Sequence, residues 1–407
     1  MTIPYSHASI ATWAIVALAT LAVLLRPART PQWLLAGAGA TLLVVLGLLP
    51  VKSALAGIAR GTDVYLFLLG MMLLAEVARQ EGLFDWLAAH AARAAKGSAS
   101  RLFLFVYGVG ILVTTFLSND ATAVVLTPAV AASARAAKID APLPYLLICA
   151  FIANAASFVL PISNPANLVI YGSHMPALLQ WLPRYGLASV LSIAVTFIVL
   201  RWTQRGALSQ KMAVDVDVPS LSASGKTAAW GIAATSLLLL LASAFDLQLG
   251  LPTAIAGSVT AVIVLIREGK TPANMLRHIS WGVLALVAGL FVLVEALDHT
   301  GVITALSAWL RQQSAAPATA WGAGISVAIV SNLVNNLPAG LIAGSAVQAA
   351  HAPDQLTRAI LIGIDLGPNL SVNGSLATIL WLDALRRDGQ HVSGATFLKY
   401  GLIVMPP

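Results

Sequence analysis

Ser118-Asn119-Asp120-Ala121-Thr122 interrupts an apolar stretch running from about 102 to 134, and Ser331-Asn332-Leu333-Val334-Asn335-Asn336-Leu337-Pro338 interrupts another, from about 318 to 350. Each is an Asn-rich centre between two apolar arms. Two further stretches, about 142–176 and 355–382, are apolar but broken. The first carries Asn154, Ser157, Pro161, Ser163, Asn164, Pro165 and Asn167; the second carries Asp365, Gly367, Pro368, Asn369, Ser371, Asn373, Gly374 and Ser375. In lipid every backbone polar group must be satisfied internally. Irregular backbone therefore survives at membrane depth only where it is buried in protein or lines a wet cavity.

The surrounding sequence makes lipid the solvent. Of 407 residues, 58% are hydrophobic and only 10% are charged, against roughly 25% charged in a soluble domain. Mean hydropathy is +0.86. That excludes a soluble enzyme, a disordered chain and a nucleic-acid binder, and leaves a polytopic membrane protein. Seven stretches reach spanning length: roughly 8–25, 33–50, 62–79, 182–201, 228–245, 251–267 and 279–297. The N-terminus has no basic residue before its first apolar run, so an uncleaved first span is expected. Segment 203–227, with Asp215, Asp217 and Pro219, is the one linker-like stretch. The net charge of +7 reads as topology, because basic residues collect in loops on the cytoplasmic side.

Arg26 and Arg29 place the end of the first span inside, and Arg79, Arg93, Lys96 and Arg101 do the same for the third. Stretch 102–134 is flanked by Arg101 and by Arg135 and Lys138, so both its ends lie inside and it folds as a re-entrant hairpin. Span 182–201 returns to Arg201, Arg205, Lys211 and Lys226. The second half runs the other way: its hairpin enters from outside and its broken helix returns inward to Arg386 and Arg387. Gly70, Glu76 and Gly82 share their spacing with Gly289, Glu295 and Gly301. The expected fold is an all-α polytopic membrane protein, an inverted repeat of five spans each with two re-entrant hairpins and two broken helices. Residues 1–202 form the first repeat, 203–227 a cytoplasmic linker and 228–407 the second repeat. Inverted repeats mark secondary transporters, whose sites lie near the midplane among discontinuous helices. The last element, from about Ser393, is some 14 residues long, short of the roughly 20 a span needs. A native chain that continues is therefore expected.

No Lys or Arg falls in the four irregular stretches, and their ionisable residues are Asp120 and Asp365. Half-helix ends and Asn and Ser side chains offer both donors and acceptors. That chemistry suits a neutral polyhydroxylated solute or a cation better than an anion. A carboxyl group in a low-dielectric site gains and loses its proton as its surroundings change, so Asp120 and Asp365 are the expected proton-coupling pair. The alternative is that each caps a half-helix as a permanent anion. No His/Cys cluster points to a metal, no cofactor is implied, and HExxH, GxSxG and GxxxxGK[ST] are absent, so nothing supports an enzyme.

The runs Phe116–Pro128, Ala153–Leu168, Ser331–Pro338 and Gly363–Thr378 resemble the two hairpins and two broken helices of ArsB-type arsenite efflux permeases, in the ion transporter superfamily. The resemblance covers nearly the whole chain. It implies export of arsenite and antimonite as neutral trihydroxides in exchange for protons, from the inner membrane of a prokaryote, conferring arsenical resistance. It also implies an elevator-like motion, a possible homodimer and, in some members, a cytosolic ATPase partner. On this reading Ser118, Asn119, Asn154, Ser163, Asn164, Asn336, Asn369 and Ser375 form the substrate cavity, and Asp120 and Asp365 couple protons. Three thiolates would hold arsenic(III) tightly; with Cys149 as its one cysteine, the chain is expected to bind hydroxyls by weaker hydrogen bonds. The rival readings are a Na⁺/H⁺ antiporter of the same superfamily, and a passive channel or membrane dock for an ATPase.

Overall fold

The structure is a computed structural model that describes residues 6–27, 30–172, 175–210, 212–213, 216–313 and 317–407. Arg29, Lys211 and Asp215 lie outside the described residues, as do the first five. Among the described residues every regular element is a helix. Six helices among the described residues are long and apolar enough to cross a membrane, or seven if the pair Val51–Arg60 and Thr62–Gln80, bent by 48°, counts as one span. Their outer faces carry large apolar side chains such as Leu179, Leu187, Trp230 and Ile266, all more than 70% exposed. Such faces belong against lipid.

Two groups of helices share the work. A frame is built from His7–Leu25, Gln32–Val45, Val51–Arg60 and Thr62–Gln80, with Ala223–Ala244, Gly250–Glu268, Pro272–His278 and Trp281–His299. Thr62–Gln80 packs along Gly250–Glu268, and Trp281–His299 along Gln32–Val45. The first contact is backbone against backbone. A Cβ on Gly70 would meet the Thr253 carbonyl at 2.2 Å, and one on Gly257 the Gly70 carbonyl at 2.4 Å. A core holds the hairpins and the broken helices, flanked by Leu178–Thr203 and Gly394–Val404.

The three residues that match between halves each have a physical account. Gly70 and Gly289 sit where helices touch; a Cβ on Gly289 would lie 2.9 Å from that of Ala36. Gly82 (φ +70°) and Gly301 (φ +81°) turn the chain through the left-handed region, which glycine adopts without steric cost. Each leads into a short amphipathic helix, Leu83–Ala94 and Val302–Gln313. Glu76 and Glu295 are buried and ion-paired. Glu76 accepts from Arg79 at 2.6 and 2.8 Å and lies 3.9 Å from His278. Glu295 lies 2.7 Å from Arg60. The end of each span thus meets the start of its counterpart, so Thr62–Gln80 and Trp281–His299 run antiparallel. The ion pairs also sort by face: Arg26–Asp383, Arg135–Asp388 and Lys270–Glu81 on the basic side, Arg60–Glu295 and Arg184–Asp354 on the other.

The polar segment after Leu178–Thr203 is tied down. Gln210 bonds both backbone groups of Ala141 at 3.1 Å, Ala213 N donates to Ala137 O at 2.8 Å, and Arg93 Nε donates to Val216 O at 3.1 Å. It lies against the connection that follows the first hairpin, at residues 137–141.

Candidate functional site

Both hairpins break where the Asn-rich centres predict. The first descends as Ala99–Phe116, turns at Leu117 and Ser118, and returns from Asn119 through a π-helical stretch, Thr122–Leu126, to Ala136. Ser118 Oγ accepts from Ala121 N at 3.1 Å, closing the new helix start. The second runs Pro317–Val334, breaks at Asn335 (φ +75°), and returns as Asn336–Ala350. Asn335 Oδ1 accepts from Leu337 N at 3.2 Å. Such side-chain caps satisfy N–H groups that have no partner inside the helix.

The broken helices divide alike. The first is Leu143–Ala155, then an extended and 3₁₀ segment, then Pro165–Tyr171; the second is Asp354–Leu366, a similar break, then Leu376–Arg387. Asn164 and Ser375 cap the second halves, accepting from Ala166 N at 3.0 Å and Thr378 N at 3.3 Å. Asn154 and Asn164 lie ten residues apart, as do Asp365 and Ser375. Asn167 Nδ2 faces the carbonyls of Ser157, Leu160 and Pro161 at 3.0 to 3.4 Å. In the other repeat Asn332 Nδ2 reaches Gly367 O at 2.9 Å and Ser371 Oγ donates to Asn332 Oδ1 at 2.7 Å. These amides replace the bonds that unwinding removes.

All four elements meet at one narrow cavity. Asn119 and Asp120 reach it from the first hairpin, Asn336 from the second, Asn164 from the first broken helix and Ser375 from the second. Leu68 and Val283 close it from the frame. Among the described residues no Lys or Arg lines it. It adjoins a cavity of about 450 Å³ that shares Asp120, Pro165, Leu68 and Val283, includes Ser118, and extends to Arg79, His278 and Arg387 on the basic face. A cavity of about 430 Å³ on the opposite face, with Arg60, Asp63 and Asp298, contains none of the ten predicted residues. The site therefore opens toward the basic side.

The remaining predicted residues stand behind the cavity wall. Asn154 Nδ2 donates to Asn369 Oδ1 at 3.1 Å, joining the two broken helices. Ser163 Oγ donates to Thr115 O at 3.1 Å and ties the first break to the first hairpin. Asp365 is 1% exposed and takes a 2.8 Å bond from Asn164 Nδ2 on Oδ1. Thr378, which meets Asn154 at 3.4 Å, closes the second broken-helix motif but was not among the ten residues assigned to the site. Leu68 and Val283 were missed because they sit inside apolar runs with no irregularity beside them. Among the described residues no cluster of His, Cys, Asp and Glu could hold a metal.

A family model described as CitMHS, citrate transporter, matches residues 14–363. Arsenical pump membrane proteins are 26% identical over 352 residues in Escherichia coli strain K12 and in Yersinia enterocolitica, covering 83% of this chain and 82% of theirs. The YdaH transporter of Alcanivorax borkumensis, a solved structure, is 17% identical with a TM-score of 0.57, covering 87% of this chain and 85% of its own. That likeness is one of fold. The ArsB-type resemblance read from the four motifs is borne out by the relatives.

Proposed function

This chain belongs to the CitMHS family, described as citrate transporters, and from that premise we propose that it is a secondary transporter exporting arsenite and antimonite as neutral trihydroxides in exchange for protons. Its arsenical-pump relatives are like it over most of their length. The observation that carries the reading is the lining of the central cavity: three amides, a hydroxyl and one carboxyl group, with no Lys or Arg. A solute with three hydroxyls needs donors and acceptors on several sides and no counter-charge. Asn119, Asn164, Asn336 and Ser375 supply them. Asn154, Asn369 and Ser163 hold the broken backbones that present these groups. Asp120 and Asp365 exchange protons.

The opening toward the basic face fits loading from the cytoplasm, since basic loops face that side. Cys149 is fully buried away from the cavity, so hydrogen bonds rather than sulfur hold the substrate and release stays fast. The core then moves against the frame to reach the other face.

A second reading, a carboxylate substrate, draws on the family's description and on the helix starts around the cavity, which attract anions. Asp120 in the lining and the absence of a cation oppose it. Liposomes containing the purified protein decide between them. Arsenite accumulation driven by an imposed pH gradient, unchanged when choline replaces Na⁺, is the expected result. Citrate accumulation in its place would overturn it.

A further inference from the structure

Asp365 does not line the substrate cavity, yet a coupling acid must communicate with it. The structure gives it one neighbour that does. Asn164 lines the cavity and is held at both ends of its amide. Its Oδ1 accepts from Ala166 N at 3.0 Å, and its Nδ2 donates to Asp365 Oδ1 at 2.8 Å. An amide nitrogen carries two protons, so one N–H remains for the cavity. Asp365 Oδ2, buried beside this contact, has no hydrogen-bond partner among the described residues.

We propose that Asn164 is the positioning residue through which the protonation state of Asp365 controls substrate affinity. This rests on the proton-exchange reading above and names the contact that performs it. With Asp365 ionised, the Asn164 bond is charge-assisted, and such bonds are roughly twice as strong as neutral ones. Asn164 is then clamped, with its free N–H fixed for a substrate hydroxyl oxygen. A proton from the outer solution adds to Oδ2, Oδ1 becomes an ordinary carbonyl oxygen, and the clamp loosens. The free N–H loses its fixed direction and the substrate is released. Loss of that proton to the cytoplasm restores the clamp for the next load. Proton and substrate thus exclude one another, as exchange requires, and by linkage each weakens the other by the same factor.

The surroundings keep this contact simple. The segments packed against Asp354–Leu366 are Pro317–Val334, Asn336–Ala350, Pro165–Tyr171 and Leu143–Ala155. They bring no Lys, Arg, His, Asp or Glu; their ionisable groups are Tyr145, Cys149 and Tyr171. Tyr171 is bonded to Tyr185 at 2.6 Å. Asp354 and Arg358 lie at the far end of Asp365's own helix, paired with each other; Leu178–Thr203 adds Arg184, 3.3 Å from Asp354, and Tyr185, bonded to Tyr171; and Asp120 faces the cavity from the first hairpin.

Asn164→Ser tests the idea. Serine can keep the cap, as Ser375 does at the matching position, but is too short to reach Asp365. Arsenite binding is measured in detergent across the acid to neutral range. Wild-type affinity should fall about tenfold toward acid pH, a typical coupling. N164S should bind weakly and vary by less than about twofold over that range, and N164S/D365N should be no worse than N164S alone. An N164S protein with the wild-type pH dependence, or a double variant whose losses add, overturns the proposal. Infrared difference spectra of the wild type give a readout free of folding defects. Arsenite binding should remove the Asp365 carboxylic-acid band, assigned by its absence in D365N; a band that arsenite leaves unmoved also overturns it. Arsenite binding without any pH dependence in the wild type would instead fail the exchange reading itself.

Discussion

The two halves of the chain build the same backbone and carry different charges. At the hairpin tips Asn119-Asp120 in the first repeat stands where Asn336-Leu337 stands in the second. In the broken helices Asn154 and Asn164 answer to Asp365 and Ser375. In both halves the returning arm of the hairpin and the second half of the broken helix start on a capping side chain. Each half has one acid among these positions, and on a different element. Two cross-repeat contacts differ accordingly: Asn154 with Asn369 is amide to amide, whereas Asn164 with Asp365 is amide to carboxyl. Duplication fixes the shape of the site, because unwound backbone needs caps wherever it occurs. It leaves titration to single positions, so a proton can change one contact without loosening its mate.

Removing the charge difference should have the largest effect. In D365N both of these cross-repeat contacts become neutral, and pH-driven arsenite accumulation in liposomes should fall more than about tenfold, the scale of a typical coupling free energy. Moving an acid to the matching place should cost stability instead. In N154D a carboxyl group replaces the amide that donates to Asn369 Oδ1, leaving buried acceptors facing one another. A loss of about 1–3 kcal/mol is expected for a buried group without its partner, read from thermal unfolding in detergent.

The frame offers its own comparison. G70A drives a methyl group into the Thr253 backbone, 2.2 Å away, whereas G289A meets the Ala36 Cβ at 2.9 Å and the Ala36 backbone at 3.1 Å, a smaller overlap. Overpacking costs about 1–3 kcal/mol, so G70A should lie at or above the top of that range and G289A near the bottom, again by thermal unfolding. The smallest effect is expected from C149A. The thiol is buried outside the cavity and donates to Tyr145 O at 3.8 Å; arsenite transport should stay within about twofold of wild type, since a buried free cysteine acts as a small hydrophobe.

Much of this was legible because lipid makes irregularity visible. Asn, Pro and Gly inside apolar runs marked all four breaks to within a few residues, and Asn119, Asp120, Asn164, Asn336 and Ser375 do share one cavity. What a single sequence could not rank is depth. Asn154 and Asn164 look alike in the chain, yet one braces helices and the other faces the cavity, because that depends on which side of a break points inward. Short helices escaped for a different reason. Val51–Arg60, Leu83–Ala94 and Val302–Gln313 have apolar residues on one face only, and a window of about 20 residues averages such helices into loops. The strapped segment at Gln210 was unreadable too, since its bonds go to backbone groups some 70 residues away.

The most direct test follows proton and arsenite fluxes together in the same liposomes. Wild-type protein should move protons against arsenite in a fixed ratio, while D365N, which keeps Asp120, should move fewer protons per arsenite. An unchanged ratio in D365N, or arsenite flux without protons in the wild type, would contradict the account.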